Sequence, residues 1–140
     1  MLYFMNSILA KEALSQMNLS IFLIEAADVP KADWIGLSDP YCILSVSGNS
    51  ETQKSKYIDN TKTPKWNESF TFFIEDDQKS LTILLMDKDI YPKSDDLIAS
   101  IEIPISSFPP NKEIEKWYTL KCADGIQGNP KIHLQVTLQK

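Results

Sequence analysis

Residues 130–139 read PKIHLQVTLQ, and this stretch decides the fold. Ile132, Leu134, Val136 and Leu138 fall on one side of an extended chain, and His133, Gln135 and Thr137 on the other. Successive strand side chains point to opposite faces, so the pattern predicts a half-buried β-strand. The same period appears upstream in IEIPI, with Ile101, Ile103 and Ile105 inward, and in FTFFI, with Phe70, Phe72 and Ile74 inward. Further strands are predicted over 19–27, 40–48, 51–58, 66–74, 80–87, 97–106 and 115–121. Turn residues separate them: Gly48-Asn49-Ser50, Asp59-Asn60, Thr63-Pro64, Pro109-Pro110 and Gly128-Asn129-Pro130. About eight strands at this spacing, with no helix among them, predict an all-β, eight-stranded antiparallel β-sandwich. Pro104 inside a strand marks an edge or a bulge.

The 140 residues suit one domain with a real core. Residues 17–140 are read as that domain. Residues 1–16 are read as an N-terminal extension in which Ile8, Leu9, Glu12, Ala13 and Leu14 suit a short helix. MLYFMNSILA, at the N-terminus, has no basic region or small-residue cleavage site, and is read as non-targeting. Cys42 and Cys122 are read as free thiols, which favours a reducing, cytoplasmic setting. Net charge is −5 and all 14 basic residues are lysine. Without the guanidinium fork, and with a negative balance, nucleic acid is not an expected partner.

Chemistry concentrates in MDKDIYPKSDDLIAS, Met86 to Ser100. Asp87, Asp89, Asp95 and Asp96 crowd this loop and repel one another, and a hard cation taking many oxygen ligands is the usual physical reason to keep them together. Ile90-Tyr91-Pro92 forms an apolar tip between them. VPKADWIGLSDPY, Val29 to Tyr41, has the same make-up, with Asp33 and Asp39 around Trp34 and Ile35. Both loops follow strands that can run the same way, so they can meet at one end of a sandwich. Calcium fits six to eight oxygens, magnesium favours fewer carboxylates, and zinc lacks its His and Cys here. An EF-hand is excluded, because its glycine position holds Pro92 and its twelfth residue is Ile98.

DWIGLSDPY, then TKTPKWNESFTF, then DKDIYPKSDDLIA together resemble the C2 domain, the calcium- and phospholipid-binding module of conventional protein kinases C and synaptotagmins. The resemblance runs from about Leu19 to Leu138 and implies the family's second topology. It implies Ca2+ as cofactor, with Asp33, Asp39, Asp87 and Asp89 as ligands. Asp95 and Asp96 compete for the last ligand position, because the loop is one residue longer than the family pattern. The family's following glycine is Ala99 here. Trp34, Ile35, Ile90 and Tyr91 become candidate membrane-insertion residues, and an anionic phospholipid surface the expected partner.

Lys54 and Lys56 would share one face of a strand. With Tyr41 they resemble the family's phosphoinositide patch, although Thr52 and Met86 replace its second lysine and its tryptophan. Trp66 and Asn67 are read as structural, Trp66 packing the sandwich and Asn67 fixing a bend. No enzyme is expected: His133 is read as a surface residue, and no nucleophile has an evident base. The chain is therefore read as a stand-alone module, cytoplasmic and peripheral to membranes when calcium rises. The alternative on the same fold is a calcium-independent protein-interaction adaptor.

Overall fold

The structure, a computed structural model, describes residues 17–32 and 36–140. The expectations placed on residues 1–16 and on Asp33, Trp34 and Ile35 lie outside the described residues. Nine strands are described: β1 (Met17–Ala27), β2 (Pro40–Val46), β3 (Thr52–Lys54), β4 (Lys65–Ile74), β5 (Ser80–Asp87), β6 (Asp96–Pro104), β7 (Glu113–Thr119), β8 (Lys121–Cys122) and β9 (Lys131–Gln139). They form two antiparallel sheets, ordered β4-β1-β9-β7 and β3-β2-β5-β6-β8. The all-β sandwich is as expected, with the two-residue β8 beyond the eight strands foreseen. The end of the 97–106 segment also differs: after Pro104, Ile105–Ser107 turns into a single 3-10 turn that keeps Ile105 buried.

The core lies between the sheets and follows the alternation in the sequence. Leu19, Ile21 and Leu23 of β1, Phe70, Phe72 and Ile74 of β4, and Ile132, Leu134, Val136 and Leu138 of β9 face Cys42, Leu44, Leu81, Ile83 and Leu85. Removing each such side chain from water is worth about 1.5–3 kcal/mol, which makes this apolar interior the main source of stability. Both cysteines are free, and burial pushes the Cys42 thiol far up.

Two β-bulges aim side chains at the functional end. In β4, Trp66 and Asn67 stand opposite Ile24 alone, because Leu23 pairs with Glu68 and Glu25 with Lys65. Asn67 takes the left-handed conformation (φ 51°) that the bend requires, so the expected bend is present. Trp66 remains buried, and its Nε1–H donates to the Pro40 carbonyl at 3.3 Å, tying the core to the start of β2. In β6, the register shifts between the pairs Leu85–Ala99 and Met86–Leu97, leaving Ile98 as the extra residue. That shift sets Asp96 directly across from Asp87.

The outer edges are short, charged or capped. β3 spans three residues and β8 two, whereas β7 carries Glu113, Glu115 and Lys116. On the outer side of β4, the Gln53 amide donates to the Thr71 carbonyl at 2.8 Å and the Asn49 amide to the Phe73 carbonyl at 3.3 Å. No described helix is long and apolar enough to cross a membrane.

Candidate metal centre

Strand pairing brings the acids together. β2 runs antiparallel to β5 with Pro40 opposite Asp87, so Asp39 sits where β5 ends and its loop begins. The Lys88 N–H donates to the Asp39 carbonyl at 3.0 Å, and the Asp39 N–H donates to Asp87 Oδ1 at 2.8 Å. Asp89 follows two residues on, in the loop just beyond the end of β5. The result is a group of carboxylates on Asp87, Asp89 and Asp96 whose candidate ligand oxygens all lie within 4.8 Å of one another. Asp87 is buried, and Asp89 and Asp96 are half-buried.

The other acids are placed differently. One Asp39 oxygen accepts the Asn60 N–H at 2.6 Å, so Asp39 borders the group through its backbone. Asp95 turns away: Oδ1 accepts the Asp89 N–H at 2.9 Å, and Oδ2 accepts the Tyr41 hydroxyl proton. Of the two candidates for the last position, Asp96 converges with Asp87 and Asp89, and Asp95 braces the loop.

The electrostatics follow this division. Burial, with the neighbouring Asp96 carboxyl, holds Asp89 above the usual carboxylate range, and Lys93 pulls it partly back. A half-buried carboxylate crowded by a second acid, as Asp89 is, is poised to be neutralised by a cation. Asp95 is held low, first by the Asp89 N–H and then by the Tyr41 hydroxyl. Burial and that same acid push Tyr41 up to about 12. The donor set is all oxygen, which fits a hard cation such as calcium.

At the tip, Ile90 is 90% exposed and Tyr91 92% exposed. Two adjacent large apolar side chains exposed to this degree form a surface suited to an apolar partner. Beside the loop lies a recess of about 200 Å³ lined by Tyr41, Lys54, Ser55, Lys56, Tyr57, Lys88 and Asp95. Lys54 and Lys56 do share this recess, but not one strand face. β3 stops at Lys54, because Ser55 curls in, accepting the Cys42 N–H at 2.8 Å on its hydroxyl oxygen.

The sequence reading missed the lysines within the acid loop. Lys88 Nζ approaches Asp95 Oδ1 at 3.9 Å, and Lys93 Nζ lies 3.0 Å from Asp96 and 3.2 Å from Asp89. Their interleaving with the aspartates in DKDIYPKSDD was the available signal. His133 lies on the outer face of β9, as read, but is half-buried there by its neighbours. Its ring stacks on Trp117 at 4.6 Å between centroids and bridges Glu25 (3.0 Å) and Glu115 (3.3 Å), with 17% of the side chain exposed. Cross-strand neighbours on β1 and β7 enclose it, as they do any residue of a central strand.

A two-sheet antiparallel sandwich with acids at the base of one loop and apolar side chains at its tip defines a C2-type module. The chain belongs to the C2 domain family, whose sequence profile matches residues 17–120. It is 34% identical over 123 residues to synaptotagmin-4 of Arabidopsis thaliana, covering 86% of this chain and 21% of the relative. The calcium-bound tandem C2 domains of extended synaptotagmin 2 superpose with a TM-score of 0.75 at 30% identity, over 89% of this chain and 46% of theirs. Human GIVD cytosolic phospholipase A2 gives 0.77 at 26% identity, over 90% of this chain and 16% of the enzyme. The chain thus spans about a fifth of the synaptotagmin and less of the phospholipase.

Proposed function

We propose that this domain binds anionic phospholipid membranes when calcium is present, as a binding module and not an enzyme. One observation carries the reading: three carboxylates converge at the base of a loop whose tip presents Ile90 and Tyr91 almost wholly to solvent. Asp87, Asp89 and Asp96 would hold the ion, with Asp39 beside them and Asp33 assigned as a further ligand. Bound calcium supplies positive charge and open coordination positions to a surface that otherwise repels anionic headgroups. The residues of the chain do the rest. The β5–β6 pairing fixes the carboxylates, Asp95 and Tyr41 brace the loop, and Ile90 and Tyr91 enter the lipid interface, with Trp34 and Ile35 assigned the same part. Tyr suits that interface because it joins an apolar body to a polar tip. Lys54, Lys56 and Lys88 around the lateral recess add contacts to headgroup phosphate.

The module then acts at the cytoplasmic face of a membrane. The calcium-bound extended synaptotagmin structure supports this reading by likeness. The test is co-sedimentation with phosphatidylserine vesicles, in calcium and in chelator. The expected result is binding in calcium alone, abolished in Asp87→Asn/Asp89→Asn. Vesicle binding by that variant at wild-type strength would refute the reading. Vesicle binding insensitive to calcium, or none, would favour an adaptor that recognises protein.

A further inference from the structure

The acid loop carries a cation of its own. Lys93 Nζ spans two of the three converging carboxylates, at 3.0 Å from Asp96 Oδ2 and 3.2 Å from Asp89 Oδ2. The backbone sets this up: the Lys93 N–H donates to the Ile90 carbonyl at 3.1 Å, a turn that folds the descending limb of the loop back over its base. Half of the side chain is exposed (51%), so the ammonium sits at the open rim of the acid group, where an incoming ion would arrive. An ammonium brings one charge and at most three donated hydrogen bonds. Calcium brings two charges and accepts six to eight oxygens. The two cannot engage the same oxygens of Asp89 and Asp96 together.

We propose that Lys93 is the resident counter-ion of this site, and that a divalent cation binds by exchange with it. The inference rests on the calcium reading above. In the exchange the ammonium leaves the carboxylates and moves to the outer rim, three residues from Ile90 and two from Tyr91. There it meets lipid phosphate. One side chain therefore opposes calcium in solution and assists attachment afterwards. It raises the calcium concentration needed to fill the site and strengthens the membrane-bound state once the site is filled.

The test compares wild type, Lys93→Met and Lys93→Arg. Calcium chloride is titrated by calorimetry without lipid. Vesicles of mixed phosphatidylserine and phosphatidylcholine are then titrated at saturating calcium. Amine-reactive labelling read by mass spectrometry reports on Lys93 itself in wild type. Removing a partly exposed competing charge should tighten calcium binding in Lys93→Met by about three- to tenfold. Losing a lysine at the lipid surface should weaken vesicle binding by about fivefold. Lys93→Arg should stay close to wild type in both. Labelling of Lys93 should rise when calcium is added without lipid. Calcium affinity in Lys93→Met equal to or weaker than wild type, or labelling unmoved by calcium, overturns the exchange while leaving the calcium reading standing. A wild-type protein that takes up no calcium overturns both.

Discussion

If the loop tip enters lipid, truncating it should weaken attachment without touching the fold. Ile90→Ala removes three carbons, worth about 2.4 kcal/mol for complete transfer from water. Ile90 is 90% exposed, so nearly all of that contact remains available to a membrane and almost none is used in folding. Half-depth immersion at the interface would realise about 1.2 kcal/mol, a loss of about sevenfold in vesicle affinity, and full immersion about fiftyfold. Tyr91→Ala removes a larger ring at 92% exposure, and the pair should bring binding near the detection limit. The assay is a vesicle sedimentation isotherm at saturating calcium, with thermal unfolding followed by circular dichroism as the control. Unfolding should shift little, because exposed substitutions of this kind change stability by about 0.5 kcal/mol or less. An Ile90→Ala/Tyr91→Ala variant that binds vesicles within twofold of wild type would refute the assignment of the tip.

Calcium at a hundredfold excess over its dissociation constant should stabilise the wild type by about 2.7 kcal/mol, raising the melting temperature by about 10 °C. Asp87→Asn/Asp89→Asn should show no such rise, and should melt no lower than wild type in chelator, because it relieves carboxylate crowding. Tyr41→Phe removes the hydroxyl donor to Asp95 and should cost about 1.5 kcal/mol at neutral pH, measured by urea unfolding. Asp95 is held below its unfolded-state pKa, so its stabilisation is complete above that value and fades as pH falls through the folded one. The gap between Tyr41→Phe and wild type should therefore close on acidification, and a gap constant with pH would contradict the role given to Asp95. Phe72→Ala, at a fully buried position joining β4 to the core, should cost about 3–5 kcal/mol in the same assay.

The fold was legible wherever one sheet face is buried and the other wet. Residues 80–87 are a strand with the expected bounds, and Ile132, Leu134, Val136 and Leu138 are inward as their spacing dictates. Legibility fell where a side chain replaces the ladder. Ser55 ends β3 early by offering its hydroxyl oxygen to the Cys42 N–H, and nothing in KSKY shows this. The site was legible as a composition and not as a geometry. Asp95 and Asp96 are adjacent acids in the sequence. What separates them is the bulge at Ile98, which puts Asp96 across from Asp87, and a hydroxyl 54 residues upstream that claims Asp95. Both are tertiary facts. Lys93 was not legible because a lysine among aspartates has the composition of any solvated loop, and only the position of its ammonium, between Asp89 and Asp96, marks it as a counter-ion.

The capped outer side of β4 has a consequence for crowding. Molecules gathered on a surface share one orientation and a high lateral density, so their sheet flanks meet far more often than in free solution. An open row of carbonyls would then template strand addition from one molecule to the next. Here the Thr71 and Phe73 carbonyls are already occupied by Gln53 and Asn49 of the same chain, and the remaining flanks are too short or too charged to continue a ladder. The Asn49 and Gln53 amides thus leave these two carbonyls already satisfied within the chain, so a neighbouring copy gains no open acceptor there on which to add a strand.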